Sequence, residues 1–600
     1  MNRTPLLASL LLCLFVGGAA RAAVPVVPVM PVSEVRPGQE AVVRTVFAGD
    51  SIETFDAVIV GLLPGGRAGG DVILARATSA RVVASGVAQG MSGSPVYVGG
   101  RLVGALSSGW SFSKEPIFGI TPIAEMLEVL DRPESGRADG TSGPAGVDPL
   151  QAAPRFREFS WSDEAPPAPA ASGAAAGRPG PLPLPLAAGG LHPDALPLVR
   201  DLFAANGLTV TPGGRSRDAG RPAPLVPGSP VAVDVLRGDL NFSAIGTVTY
   251  VDGDRVLIFG HPFFQSGEVR MPLSTAHIVG ILPSLASSFK LGVPGVPVGA
   301  ATQDRRAAVA GRLGAAPALM PFRVEVASGG RRQSFAFECI EDRTLLPQLV
   351  AAAAMNSLLE SGGSGAQQSI RWSLVAWSGG RQLRLADVAA GEAPVGDMIG
   401  ALSSPLRFLA ANPYERCRFD SLRISLEVTP GRSQWAVRGA RARAAMVRPG
   451  GTLRVSVELE RWRGERKTVE LDVPVPDEFP NGRYTLWLGG GAELDRSTAS
   501  RLPWRFRPVS LADAWERLGA VHRSDRLYSA LWARAPEVSS DGEDYPELPF
   551  SALAVLASPE TAGDGARRAG WALFEGPSLP VEGVARGEVT LDIVVDRTAP

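Results

Sequence analysis

The sequence predicts a mainly β, multidomain protein with a few helices. Three observations predict it. Gly (69) and Pro (52) make up about a fifth of the 600 residues, a level that favours strands, turns and linkers over long helices. Short apolar runs alternate with turn signals in several separate stretches. Hydrophobic residues are 45% and charged residues 20%, enough to bury cores, and the length suggests about four domains.

Each segment has its own reason. The start, MNRTPLLASLLLCLFVGGAARAAVP, has Arg3, an apolar run from Leu6 to Val16 and the cleavage pattern Ala20-Arg21-Ala22. Residues 1–22 therefore read as a secretory signal peptide. The expected address is export to a bacterial periplasm or cell envelope. Cys13 lacks the small residues of a lipid-anchor site, and no later run reaches roughly eighteen apolar residues. No stable membrane span is expected in the mature chain.

Residues 26–131 read as a compact β domain, with AVVRTVF, AVIVGL and DVILA as strands and a helix over Ile123–Leu130. Residues 132–227 form a Pro/Ala/Gly-rich linker with a short helix near Pro197–Asn206; such a composition buries little. Residues 228–345 return to β signals, including a hairpin turn at Val251-Asp252-Gly253-Asp254. Residues 346–429 are a mixed α/β extension with a helix over 348–360. Residues 430–508 alternate at period two and read as a sandwich-like module. Residues 509–600 are mixed, with a helix at Leu511–Leu518.

Composition also excludes classes. A net charge of −1 gives no global field for nucleic acid or anionic lipid. Three cysteines rule out a Cys-rich zinc module or a disulfide framework; whether Cys339 and Cys417 pair stays open. No H-E-x-x-H or H-x-H pattern occurs, so no metal and no cofactor is expected. Lysine occurs only at Lys114, Lys290 and Lys467; the Arg, Ala, Gly and Pro excess reads as coding bias. Histidine occurs only at His192, His261, His277 and His522. Any imidazole chemistry must use one of these four.

The sharpest motif is Gly90-Met91-Ser92-Gly93-Ser94-Pro95, followed by a hairpin through Gly99-Gly100. Gly90 and Gly93 permit the tight turn that displays Ser92. The amides of Gly90 and Ser92 can then face one way and stabilise an oxyanion. This layout resembles chymotrypsin-like serine proteases. Val87-Ala88-Gln89-Gly90-Met91-Ser92-Gly93-Ser94-Pro95-Val96 is closer still to the SpoIVB peptidase family. The stretches Ser33–Gly38 and Glu53–Val60 are also similar to that family. The resemblance implies two chymotrypsin-like β-barrel halves, with Ser92 as nucleophile. Met91 stands where trypsin-like enzymes carry the Asp that pairs with a new N-terminus, so activation by such a salt bridge is not implied.

A serine nucleophile needs a base, and residues 1–190 contain no histidine. His261 ends the strand Arg255–Pro262, and Gly246–Pro262 is similar to the family segment that leads to its catalytic Gly-His. The resemblance assigns the base to His261, with His277 as the alternative. His192 reads as a loop residue, and His522 lies in a charged context. In the family the His half precedes the Ser half; here the two look exchanged. The family's Asp lies about fifteen residues before the serine, but no carboxylate occurs between Asp71 and Ser92. Asp71 and Asp254 are the candidate acids; Glu268 and Asp304 would need tertiary folding to approach. A Ser-His dyad, a relocated acid and an inactive descendant stay open. The functional expectation is an exported serine peptidase acting on protein or peptide substrates. The alternative is an inactive protease-fold binding or scaffold protein of the cell envelope, with the C-terminal β region as its partner surface.

Overall fold

The structure, a computed structural model, describes residues 27–133 (without 68–69 and 111), 180–363 (without 182–183, 205–207 and 216–223), 367–534 and 567–599, plus short pieces at 156, 158–160, 537–540, 543–545, 551–552 and 555. The segment expected to be a signal peptide and the centre of the expected linker lie outside the described residues.

The first unit is a barrel of β1 (Glu40–Thr45), β2 (Glu53–Arg67), β3 (Gly70–Ala77), β4 (Pro95–Val98), β5 (Arg101–Gly109) and β6 (Ile117–Pro122), with α1 (Ala80–Ser85) and α2 (Ile123–Leu130). Its apolar runs alternate because one face of each strand fills the barrel. Val43, Phe55, Ile59, Ile73, Val103 and Phe118 form that filling. The strand order is β4-β1-β2-β3-β6-β5, and pairing of β4 with β5 closes the ring. Closure removes open edges.

The segment expected to be linker is partly folded. After β7 (Gly180–Pro181), which pairs with β5, come β8 (Leu184–Gly189), α3 (Leu196–Ala204) and β9 (Leu208–Pro212). β8 adds to the next barrel through β11, and Leu186, Val199, Phe203 and Val210 are buried in its core. These apolar residues lie between Pro- and Gly-rich stretches whose composition masks them.

The second barrel consists of β10 (Pro230–Gly238), β11 (Asn241–Asp252), β12 (Arg255–Ile258), β13 (Gly267–Leu282), β14 (Phe289–Arg305) and β15 (Ala308–Leu313). The order β10-β13-β14-β15-β12-β11 closes through β10–β11 pairing. Counted within its own ring, each barrel runs first, second, third, sixth, fifth, fourth. The two are therefore repeats of one topology, with the Ser92 barrel first in this chain. They meet along an apolar seam of Tyr97, Leu102, Ala105, Ile123 and Met126 against Leu257, Ala308 and Ala310.

The same sheet continues past the barrel. β16 (Leu319–Ser328) and β17 (Arg331–Ile340) pair with each other, and β17 joins β10. β18 (Gln368–Ser378), β19 (Arg381–Ala390) and β20 (Ser421–Pro430) extend it, with β20 parallel to β16. The expected boundary at 345 thus falls inside one continuous sheet. α4 (Leu345–Glu360) is buried from Leu345 to Leu358 and pairs with α5 (Pro394–Ala410) against this sheet. An apolar helix without a polar face belongs inside.

The C-terminal sandwich is larger than 430–508. β21 (Gln434–Ala442), β23 (Thr452–Arg461) and β24 (Arg466–Pro474) form one sheet with Val584–Arg586. β22 (Met446–Val447), β25 (Gly482–Gly490) and β26 (Arg526–Ala533) form the other with Ala572–Pro580 and Glu588–Val595. Val455, Val457 and Leu471 face Leu486, Leu531 and Ile593 across the core. A sandwich needs two sheets, and the tail supplies strands of both. α6 (Gly491–Arg501) and α7 (Leu511–Gly519) lie between these strands in sequence. Cys339 and Cys417 are free thiols. Among the described residues no helix is long and apolar enough to cross a membrane.

Candidate active site

The loop from Gln89 to Ser94 joins α1 to β4 and is buried throughout. Gly90 and Gly93 have φ of 87° and 93°, which L-residues rarely adopt. Met91 is fully buried in the first barrel's core. That explains an apolar residue there: its side chain fills the barrel and needs no ionic partner. Its amide donates to Ala88 O (3.0 Å), and the Gly93 amide donates to Leu106 O (2.8 Å). Among the described residues, no hydrogen-bond acceptor takes the other two amides of the turn, those of Gly90 and Ser92. The two donors expected to hold an oxyanion are thus the two the fold leaves unused.

The second barrel grips this loop. Thr247 N donates to Ser92 O (2.9 Å). Thr247 Oγ1 donates to Gly90 O (3.1 Å), and Thr249 Oγ1 donates to Gly93 O (2.7 Å). Gln89 N donates to Ser288 O (2.7 Å), and Lys290 N donates to Gln89 O (2.9 Å). Thr247 and Thr249 lie on β11, which pairs with β12, and β12 leads into Phe259-Gly260-His261. A Cβ on Gly93 would stand 2.6 Å from Phe259 N, and one on Gly260 would stand 3.0 Å from the Ala105 Cβ. The structure therefore brings the Ser92 loop and the Gly-His turn to the same junction between barrels.

His261 is 5% exposed and Ser92 is 2% exposed. His261 Nδ1 lies 2.8 Å from Pro262 O. A carbonyl only accepts, so Nδ1 carries the proton and Nε2 presents its lone pair. Nε2 is buried with no hydrogen-bond partner among the described residues. The Ser92 hydroxyl is therefore not bonded to the imidazole in this closed arrangement. Burial lowers the imidazole pKa to about 4, only partly offset by the Pro262 carbonyl.

The expected acids are elsewhere. Asp71 Oδ1 accepts from Gly65 N (3.0 Å) at the far end of the β2–β3 hairpin. Asp254 sits at the β11–β12 turn, where its carboxylate faces Arg312 (3.8 Å). Neither touches His261; each is at the strand end opposite to the one a triad would need. His277 is half-exposed and its Nδ1 contacts Asp50 Oδ1 at 2.9 Å on the surface. His192 accepts from Asp194 N. His522 lies between Asp495 (2.6 Å) and Glu575 (3.3 Å) in the C-terminal region. Burial opposes its charge, but the two carboxylates outweigh it and push the pKa up to about 9.

Two residues that sequence reasoning did not assign belong to this junction. Asp304 is fully buried and accepts from the amides of Phe263 (2.7 Å), Phe264 (2.7 Å) and Ser266 (3.1 Å). It fixes the turn that follows His261 without touching the ring. Burial raises its pKa against these three donors. Asp304→Ala would leave three interior amides unpaired and is expected to cost about 3 kcal/mol, read as a shift of the denaturant midpoint. An unchanged midpoint would contradict that role. The second residue is Lys290, 1% exposed beneath Gly90. A cavity of about 370 Å³ opens beside the loop, lined by Gly86, Val87, Trp110, Lys114, Leu285 and Ser288 among others. Among the described residues no cluster of His, Cys, Asp and Glu could hold a metal.

Comparison with curated proteins gives no match, and comparison with solved structures gives none. The model of the SpoIVB peptidase S55 family matches residues 19–127. The match spans the first barrel with Gly90, Ser92 and Gly93, and ends before the barrel that carries His261. Residues 19–127, the barrel with its buried Ser92 loop, are thus similar to the SpoIVB peptidase S55 family.

Proposed function

We propose that the protein is an exported serine peptidase that cleaves protein substrates in the bacterial periplasm or cell envelope. Ser92 attacks the scissile carbonyl, His261 Nε2 takes its proton, and the Gly90 and Ser92 amides hold the oxyanion. The observation that carries the reading is the pair of unused amides on a loop that the His261 barrel grips through Thr247. Pro262 O replaces the triad acid in setting the tautomer but brings no negative charge, so the imidazolium is less stabilised than in a Ser-His-Asp site. Losing that Asp costs about 10⁴ in kcat in the trypsin example, so turnover is expected to be slow. The expected chain order, with the Ser barrel ahead of the His barrel, reverses that of the SpoIVB peptidases. Docking of barrels, not their order, forms such a site. The address rests on the pattern of residues 1–22.

The closed junction favours a second reading, an inactive binding or scaffold protein, because Ser92 and His261 are both buried and not bonded to each other. Fluorophosphonate labelling separates the two. The peptidase reading expects covalent labelling of the wild type that disappears in Ser92→Ala and falls at least 100-fold in His261→Ala. Folded wild type without Ser92-dependent labelling would overturn the peptidase reading and leave the scaffold reading standing.

A further inference from the structure

Lys290 is the one lysine the fold buries at the junction, in a chain with three lysines among 59 basic residues. Its stem packs under the nucleophile loop: a Cβ on Gly90 would lie 3.1–3.3 Å from its Cβ, Cγ and Cδ. Its Nζ donates to Thr45 Oγ1 of the first barrel (2.8 Å) and reaches Thr247 Oγ1 of the second (3.4 Å). Thr45 Oγ1 also takes the Ser94 hydroxyl (3.0 Å), and Thr247 holds Gly90 O and Ser92 O. The amine thus touches the loop on both sides of Ser92 through one threonine of each barrel.

We propose that Lys290 is a positioning residue for Ser92, whose uncharged amine links Thr45 to Thr247 and holds the nucleophile loop between the barrels. This rests on the peptidase reading above. Hydrogen-bond counting supports the uncharged form. An ammonium has three N–H groups to place and finds two acceptors among the described residues; an amine has two, and both are matched. No charged group acts on it from β1, β11 or the loop, and burial alone lowers its pKa to about 7. An arginine could not serve, because it stays charged and is planar. Protonation would place an unpaired cation under the loop.

The test is the pH dependence of Ser92 labelling by a fluorophosphonate on the full chain. Wild-type labelling should rise as pH passes through about 7. Lys290→Met keeps the stem and is expected to label at least tenfold more slowly at pH 8, to lose the limb near pH 7, and to melt no lower than wild type. Lys290→Arg should not rescue, and Thr45→Val, which removes the acceptor on the first barrel, should slow labelling without touching the lysine. A merely structural lysine would leave the pH profile in place. Wild-type rates and profile in Lys290→Met overturn the proposal and leave the peptidase reading intact. Absent labelling of wild type overturns that reading, and the proposal falls with it.

Discussion

Replacing Gly93 by alanine is expected to destabilise the protein by at least about 3 kcal/mol and to abolish labelling at Ser92. Two independent costs meet at this position. The backbone has φ of 93°, where a Cβ is strained. The added Cβ would also stand 2.0 Å from Thr247 O and 2.6 Å from Phe259 N. Both are backbone atoms of the second barrel, so no rotamer change relieves the overlap. Either the loop leaves the junction or the barrels separate. Gly99→Ala is the control: φ is 56°, and the new methyl meets nothing within 4 Å. It should cost only about 1 kcal/mol, the backbone share alone. Thermal or denaturant unfolding compares the pair, and equal midpoints would mean that the barrels do not meet as described.

The second large effect concerns acid. His261 titrates near 4 in the fold and near 6.5 when unfolded. Between these values the unfolded chain binds more protons, so stability falls as pH falls through the window. The loss, complete near pH 4, sums to about 3 kcal/mol. Buried Asp234 and Asp304 act in the opposite sense, because burial raises their pKa values and the fold holds their protons more tightly. Whole-protein curves therefore mix signs, and a variant is needed. His261→Gln cannot titrate and should lose less stability than wild type between pH 6.5 and 4, by that same amount. Parallel curves would show that the imidazole is not buried neutral.

Much of this was legible in residue order. Alternating apolar runs marked the strands, and Ile123–Leu130 is helical over those very residues. The turn at Gly90–Pro95 was legible because glycines at fixed offsets encode a backbone shape. Scarcity left four histidines to weigh, and the structure sets the turn of His261, at its strand end, against the first barrel. The partner of the imidazole was not legible: a triad pattern points to a carboxylate, whereas the proton on Nδ1 goes to the Pro262 carbonyl, a group that every residue has. Asp304 was named only as a carboxylate that folding would have to bring near; its role on the turn escaped because it acts on amides 38 to 41 residues away. Lys290 escaped because its meaning lies in partners on Thr45 and Thr247, 245 and 43 positions distant. The sandwich was cut short because its second sheet draws strands from the tail, beyond low-complexity sequence.

Ring closure of both barrels has a consequence for how the site comes to exist. Each ring satisfies its own edges, so neither needs the other to complete its strands. The junction is then an association between two parts of one chain, held by the apolar seam, a few main-chain bonds and the side-chain bonds of Thr247, Thr249 and Lys290. Being parts of one chain raises the effective concentration of each for the other above that of two separate molecules. A docking constant well below that concentration keeps the halves together; one near it leaves a standing population with Ser92 uncovered. Opening of this kind would admit a polypeptide to a serine that is otherwise 2% exposed, and two chains that exchanged halves would rebuild both sites in a dimer.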